Sequence, residues 1–478
     1  MIIGYGTNTT LLREALSMRH PLLSVIVFSL LPFATRAQTS FTVGGGVVNV
    51  TTIAESLDVP WDMVLGPDGH LWFTEANGNV YRMDLSTYEL QLVHTLENVT
   101  LAGFTAGLHS MAFHPDFNNE PYVYLHYMNS TTTSVVERFA YDAGSNTFGP
   151  GSGHLLSVSI PGGASHNGSR MVADDSGNFI LTMGDHMTGS ANVQNPAMVE
   201  GKFLRFDPLG GIPADNPIPG SYMYNWGHRN PQGLVHASNG IWYNTAHGQN
   251  NDDEVNIVLP NRNYGWPMVL GLCNTPTEQA YCSANDVVEP IHEFTLQVVA
   301  PAGIDHYAHA AIPGWQNSLL VATLRGKALW QLQLDATGTN VTGATPFLTD
   351  QFGRLRDVQV LPDGRVLVCT SNSDWSGAPV ATDDRILLLT PEVSTGITTT
   401  NAQAPWLAPN PSTERASLYL PHRPCSVTLS DATGRSLRHW NNTQGMLELP
   451  ASGLPSGGYS IHVSSVDGHW RLPWMVSK

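Results

Sequence analysis

Residues 66–75 read GPDGHLWFTE and residues 361–371 read LPDGRVLVCTS, and in both a polar turn leads at once into an apolar strand. The same phrase recurs as HPDFNNEPYVYLHY from His114, ADDSGNFILTM from Ala173, ASNGIWYNTA from Ala237 and GWQNSLLVATL from Gly314. Six copies between residues 50 and 392 leave roughly 57 residues each, slightly above the ~40–50 of propeller repeats. Strands as apolar as HLWFTE suit an architecture that buries both faces of each strand, as stacked blades around an axis do. The repeat therefore predicts an all-β protein whose residues 50–392 form a six-bladed β-propeller. A pair of sandwiches or a large irregular barrel is the plainer alternative.

Composition agrees. The 478 residues include 45 Gly, 32 Pro, 12 Trp, 15 Tyr and 15 Phe, and only 13% are charged, which favours an exported β protein over a helical cytosolic one. A formal charge of −17 argues against nucleic acid and against an anionic membrane surface as partners. Residues 18–38 read MRHPLLSVIVFSLLPFATRAQ: a basic start, a short apolar run, then small residues. That is the layout of a secretory signal peptide, so 1–37, including an N-terminal extension before Met18, are set aside from the fold. No later stretch is apolar enough for a transmembrane helix, and the expected location is outside the cell or on its surface, reached through the periplasm. In such a compartment Cys273 and Cys282 are expected to pair, while Cys369 and Cys425 read as buried structural residues.

Near residue 391 the composition changes. A Thr- and Pro-rich stretch marks a linker at 393–407, and 408–478 carries six short strand patterns, from ASLYLP to HWRLPWMVSK, that predict a small C-terminal β-sandwich. With APNPST at 408–413, SDATGR at 430–435, LPASGLPSGGYSIHV at 449–463 and RLPWMVSK at the end, this tail resembles the C-terminal sorting domains of the type IX secretion system. The resemblance implies that secretion machinery as a partner. A generic adhesive module is the alternative.

Four polar constellations fall at strand ends, where propellers place their function. In HNGSRMVADDSGNFILTMGD, a hairpin can bring His166 and Asp185 together, either as a general base with its orienting acid or as a hairpin cap. In GHRNPQGL, Arg229 and Asn230 sit between Gly227 and Pro231, and the arginine is either an anion contact or a turn brace. In HGQNNDDEVN, the acids Asp252, Asp253 and Glu254 beside Gly248 suggest an oxygen-rich calcium site or a solvated acidic turn. In RLRDVQVLPDG, Arg354 and Arg356 alternate and so share one strand face, pointing to an anionic ligand or to pairing with surface acids.

Taken in order, together with VPWDMVLGPDGHLWFTE, AGLHSMAFHPDF, GKFLRFDP, NYGWP and GWQNSLLVATLRG, these segments resemble the soluble quinoprotein sugar dehydrogenases, the glucose/sorbosone dehydrogenase family. The resemblance implies a six-bladed propeller that binds pyrroloquinoline quinone (PQQ) and calcium and oxidises a small sugar by hydride transfer to the quinone. It leaves the electron acceptor unnamed. It further implies His166 as base, Asp185 as its orienting carboxylate, and Arg229 and Asn230 as cofactor contacts, the arginine near the reactive carbonyl. Arg354 and Arg356 would face the cofactor carboxylates. The Gly248 and Gln249 carbonyls would hold the calcium that polarises PQQ, and Glu254 with the Tyr264 carbonyl a structural calcium. Departures from the family are Thr105 in place of the glutamine beside substrate and cofactor, His109 in place of a small or apolar residue, and Arg325 in place of the lysine that often meets the cofactor, so Thr105 and Arg325 are also expected cofactor contacts. These departures leave open a second reading, a non-enzymatic surface propeller that binds carbohydrate or protein. A metal-dependent lactonase is a third.

Overall fold

The structure, a computed structural model, describes residues 39–103, 105–187, 190–295, 298–374, 376–392, 405–420, 424–465 and 468–478. The expected leader at 1–37 and most of the expected linker lie outside the described residues. Strands dominate, and the one α-helix among the described residues is Pro276–Asn285.

Six antiparallel sheets succeed one another from residue 39 to residue 391. Their second strands are Leu71–Glu75, Tyr122–Met128, Phe179–Met183, Trp242–Ala246, Ser318–Thr323 and Val366–Thr370. All six recurring phrases thus fall on one place, the turn into the second strand of a sheet. These strands are buried almost end to end, which is why they carry no polar alternation. Aromatic rings fill the gaps between sheets: Trp72 meets Phe113 edge-on at 5.4 Å and stacks near Phe148 at 6.2 Å, bridging the first two sheets.

The first strands are Pro60–Leu65, Leu108–Phe113, Gly168–Ala173, Pro231–His236, Pro301–Tyr307 and Leu355–Val360. Each packs against the first strand of the next sheet, and the last packs against the first, so the six form a closed ring. The closing sheet takes three strands from the far end and the hairpin Thr39–Val43/Gly46–Ala54 from the near end. Strand structure therefore begins ahead of residue 50, where the sequence had placed it: Val48 and Val50 are buried against Leu387 and Leu389.

Inside the ring a buried arginine joins three sheets. Arg170 bonds Asp62, and it bonds Asp357 through Nη1 at 3.1 Å and Nη2 at 3.2 Å. The same carboxylates accept the N–H groups of Met111 (2.9 Å) and Met63 (2.8 Å). Nearby, Asp305 accepts from the Val360 N–H at 2.6 Å and from Gln359 at 3.1 Å, and burial pushes its carboxyl up to about 7. An acid whose folded value is raised binds its proton more tightly in the native state, so its contribution to stability is lost as pH rises from about 4 to about 7. Asp305→Asn removes that ionisation while keeping an oxygen for Val360. Its Tm should match wild type near pH 4 and exceed it by several degrees above pH 7, measurable by calorimetry across that range; equal Tm differences at both ends would contradict the assignment.

Residues 405–478 build two further sheets. Strands Trp406–Ala408, Arg415–Tyr419 and Met446–Pro450 form one; Cys425–Ser430, Ser436–Thr443, Gly457–Ser465 and Gly468–Val476 form the other. One core joins them, with Leu418 and Leu449 from the first sheet and Val427, Ile461, Val463 and Trp474 from the second. Trp406 and Leu407 of the strand Trp406–Ala408 are residues expected to be linker. Leu407 packs on this core, and Trp406 stacks on Tyr419 at 3.8 Å, which gives those residues a partner that a linker lacks. Cys273 and Cys282 are disulfide-bonded, as their spacing and compartment had suggested, while Cys369 and Cys425 are buried thiols.

Candidate active site

The first strands all start at one mouth of the ring, and the turns that feed them enclose a cavity of about 620 Å³. Thr105, His166, Arg229, Asn230, Gly248, Gln249, Arg325, Arg354 and Arg356 all line it. Asp185 lies behind His166, and Glu254 and Tyr264 line a small adjoining cavity of about 20 Å³ that shares Gly248 and Gln249. Segments far apart in the chain thus converge at one mouth because first strands start there and the antiparallel second strands end there.

His166 sits on the turn before Gly168–Ala173 and Asp185 just after Phe179–Met183, so the hairpin returns both to the mouth. His166 Nδ1 lies 2.7 Å from Asp185 Oδ1. The close return needs Gly184, since a Cβ there would run into the His166 carbonyl. Burial works to raise the Asp185 carboxyl, but the His166 hydrogen bond and the Met187 N–H (3.0 Å) outweigh it and hold the group below the usual carboxylate range. An ionised Asp185 only accepts, so Nδ1 carries a proton, and in the neutral ring this tautomer leaves the lone pair on Nε2. The ring is then oriented as a base.

Arg229 donates to the His247 carbonyl at 3.3 Å and lies over the Trp266 ring at 5.5 Å. Asn230 is braced on three sides, accepting from the Gly168 N–H (3.3 Å) and Gln232 (3.0 Å) and contacting His247 Nδ1 (3.2 Å). Across the cavity, Arg354 and Arg356 both donate to Asp374 Oδ2, Arg354 through Nε at 3.0 Å and Nη2 at 2.8 Å, Arg356 through Nη2 at 3.0 Å. The acid pairing weighed from sequence exists, but it is buried, and two guanidinium groups on one carboxylate leave a surplus positive charge. Arg356 also lies over Trp61 at 3.9 Å. Exposed at the rim, the Arg325 side chain has no hydrogen-bond or ion-pair partner among the described residues.

Two of the residues that depart from the family pattern, Thr105 and His109, belong to one tied-down loop. His109 is fully buried beside Trp61 (4.7 Å), and its Nε2 donates to the Thr105 carbonyl at 2.7 Å. Burial pushes it down to about 4, so it is neutral. Asn167 reaches the same carbonyl at 3.1 Å and the Thr105 hydroxyl at 3.2 Å. The hydroxyl is thereby fixed in the cavity wall next to His166.

The acid cluster at 252–254 divides as strand alternation requires. Asp253 anchors backbone, accepting from the N–H groups of Gly248 (3.0 Å), Val299 (2.7 Å) and Ala300 (2.7 Å). Glu254 points to the small cavity, where burial, with Glu293 and Asp252 nearby, pushes it up to about 7. A buried carboxylate among other acids fits a cation. Among the described residues no three His, Cys, Asp or Glu side chains gather at metal-binding spacing, so an ion there would also draw on carbonyl oxygens.

Sequence reasoning missed Gln232, His247, Lys327, Asn372 and Ser376 in the wall, and Asp374 and Trp266 behind it. His247 and Trp266 lay inside quoted segments without a role; Asp374 had no local signal.

A model of the family described as Glucose / Sorbosone dehydrogenase matches residues 57–377, a span that holds every cavity residue but Ala378. The chain belongs to the Glucose / Sorbosone dehydrogenase family. Among its relatives in that family, the quinoprotein glucose dehydrogenase B of Acinetobacter calcoaceticus is 28% identical over 401 residues, covering 66% of this chain and 83% of its own. An aldose sugar dehydrogenase of Escherichia coli is 27% identical over 344 residues, covering 68% and 91%. The solved structure of the PQQ-bound aldose sugar dehydrogenase of Streptomyces coelicolor superimposes with a TM-score of 0.62 at 28% identity, covering 72% of this chain and 98% of that one. The two sheets of residues 405–478 lie beyond the residues matched by the Glucose / Sorbosone dehydrogenase model.

Proposed function

We propose that this protein is a PQQ- and calcium-dependent dehydrogenase that oxidises an aldose or related polyol in the cavity at the ring mouth. As a member of its family it is an oxidoreductase acting on CH–OH donors. The observation that carries the finer reading is a base oriented by an ionised carboxylate, His166–Asp185, facing a cavity walled by Arg229, Arg325, Arg354 and Arg356. PQQ is a flat tricarboxylate, and the donor set fits it: the surplus charge at Arg354 and Arg356 and the exposed Arg325 guanidinium suit carboxylates. Glu254, raised by burial and by the nearby Glu293 and Asp252, suits calcium at the adjoining cavity, with the Tyr264, Gly248 and Gln249 carbonyls as further donors. In this reading the six sheets are the six blades of a β-propeller.

When bound, PQQ supplies the quinone that accepts hydride. The chain supplies position and proton transfer. His166 Nε2 takes the proton of the sugar hydroxyl, and Asp185 steadies the imidazolium that results. Arg229, held by the His247 carbonyl and the Trp266 face, presents its positive edge to negative charge developing in the cavity. The Thr105 hydroxyl, fixed by Asn167, offers the sugar a hydrogen-bond partner in the wall. Dye-coupled assays with a panel of aldoses should give turnover only after both PQQ and calcium are added. Equal turnover without PQQ, or none with any sugar or polyol, would contradict the reading.

The tail is proposed to be a β-sandwich that serves type IX export, following a cleaved leader, which would bring the protein outside the cell or to its surface. Deleting 408–478 in a type IX-competent host should trap a folded, PQQ-binding protein in the periplasm. Normal amounts of the truncated protein in the medium would refute the sorting role.

A further inference from the structure

We infer that Trp266 is a positioning residue that couples the His166–Asp185 pair to Arg229; the inference rests on the catalytic reading above. The indole Nε1–H donates to Asp185 Oδ2 at 3.0 Å. The other oxygen, Oδ1, meets His166 Nδ1 at 2.7 Å and accepts the Met187 N–H at 3.0 Å. With both oxygens engaged, the carboxylate cannot rotate without giving up a bond, so the indole on Oδ2 and the Met187 N–H on Oδ1 together hold the plane in which it meets the imidazole. On its face the same ring carries the Arg229 guanidinium at 5.5 Å. One side chain therefore touches the acid behind the base and the cation that faces the reacting centre.

Trp266 is itself held from two sides. Its N–H donates to the Gly227 carbonyl at 3.0 Å, and the Tyr264 N–H to the Trp226 carbonyl at 2.9 Å, which lays residues 264–266 along the turn that carries Arg229. Gly227 has φ +91° and no room for a Cβ, which would strike the Asn263 side chain and the Tyr264 nitrogen. From the opposite side Gln194 Nε2 donates to the Trp266 carbonyl at 2.7 Å and to Asn263 Oδ1 at 3.0 Å. The Asp185 N–H completes the circuit by donating to the Arg229 carbonyl at 2.8 Å. These bonds hold the segment that carries the indole before any ligand arrives; comparable outer partners of metal-ligating histidines are typically worth about 10–100-fold.

Trp266→Phe keeps an aromatic ring near Arg229 and removes the N–H donor together with part of the indole. In the PQQ- and calcium-loaded protein, kcat should fall roughly 10-fold while the sugar KM and the PQQ affinity stay within about twofold of wild type. In the apoprotein, the downfield proton resonance of His166 Nδ1–H, identified by its loss in His166→Ala, should broaden through faster exchange with water. An unchanged resonance with unchanged kcat would overturn the inference, and so would parallel losses of kcat, PQQ affinity and Tm, which would make Trp266 a piece of wall. Should the variant not fold, exchange of the wild-type indole N–H decides: it should speed up in Asp185→Ala, and an unaltered rate would count against the bond. Because the resonance and exchange readouts need neither PQQ nor sugar, an inactive wild type would defeat the catalytic reading and still leave this one decided.

Discussion

His166→Ala should lower turnover by ~10²–10⁴-fold, the usual worth of a positioned general base, while PQQ affinity stays within a few-fold of wild type. The separation follows from geometry. His166 touches Asp185 and the cavity but none of the arginines assigned to the cofactor, and the mouth is otherwise shaped by backbone turns that do not depend on its ring. Asp185→Asn should be a milder version of the same loss, because an amide can still meet the ring but no longer stabilises its charged form. Single-turnover reduction of bound cofactor, followed separately from binding, measures both quantities. An unchanged rate in His166→Ala would place the base elsewhere.

The double change Arg354→Ala, Arg356→Ala should act on binding instead. Each charge-assisted contact is worth roughly 1.5–3 kcal/mol, so losing two should weaken PQQ by ~10²–10⁴-fold. The structure adds a consequence that the sequence did not contain. Both guanidinium groups end on Asp374, and deleting them leaves that buried carboxylate without its cations, so Tm should fall as well. Adding Asp374→Asn should recover the Tm but not the PQQ affinity. Recovery of both would show that the arginines serve the fold alone.

How much of this was legible beforehand depends on how local each signal is. The six turn-and-strand phrases stood out because second strands are buried on both faces and therefore largely apolar, with no alternation of polar residues. Outer strands such as Thr147–His154 and Val341–Phe347 are largely exposed and broken by Gly and Pro, so nothing in their sequence announces a sheet edge. The helix Pro276–Asn285 had a readable start in Thr275 and Glu278, whose side chains form a capping box, yet PTEQAYCSAN has no apolar face to mark it as helical. Within the site, His166 and Asp185 could be paired from sequence because one hairpin separates them. The Arg354–Asp374–Arg356 arrangement could not, since strand alternation places the arginines but says nothing of which acid loops back to them. The alternation rule did separate Asp253 from Glu254, and applied at the outset it would have divided that cluster between a backbone anchor and a cation site. Resemblance supplied what spacing could not: the order of the segments pointed to PQQ, a ligand for which no single motif in the chain is diagnostic.

The most direct test of the whole account is spectroscopic. Purified protein would be loaded with calcium, titrated with PQQ, and mixed anaerobically with excess aldose while the absorbance of the oxidised cofactor is followed. The account predicts saturable binding at one PQQ per chain and loss of that absorbance on adding sugar, at a rate that collapses in His166→Ala. Failure of calcium-loaded protein to bind PQQ, or a bound-cofactor spectrum that no aldose or polyol alters, would contradict it.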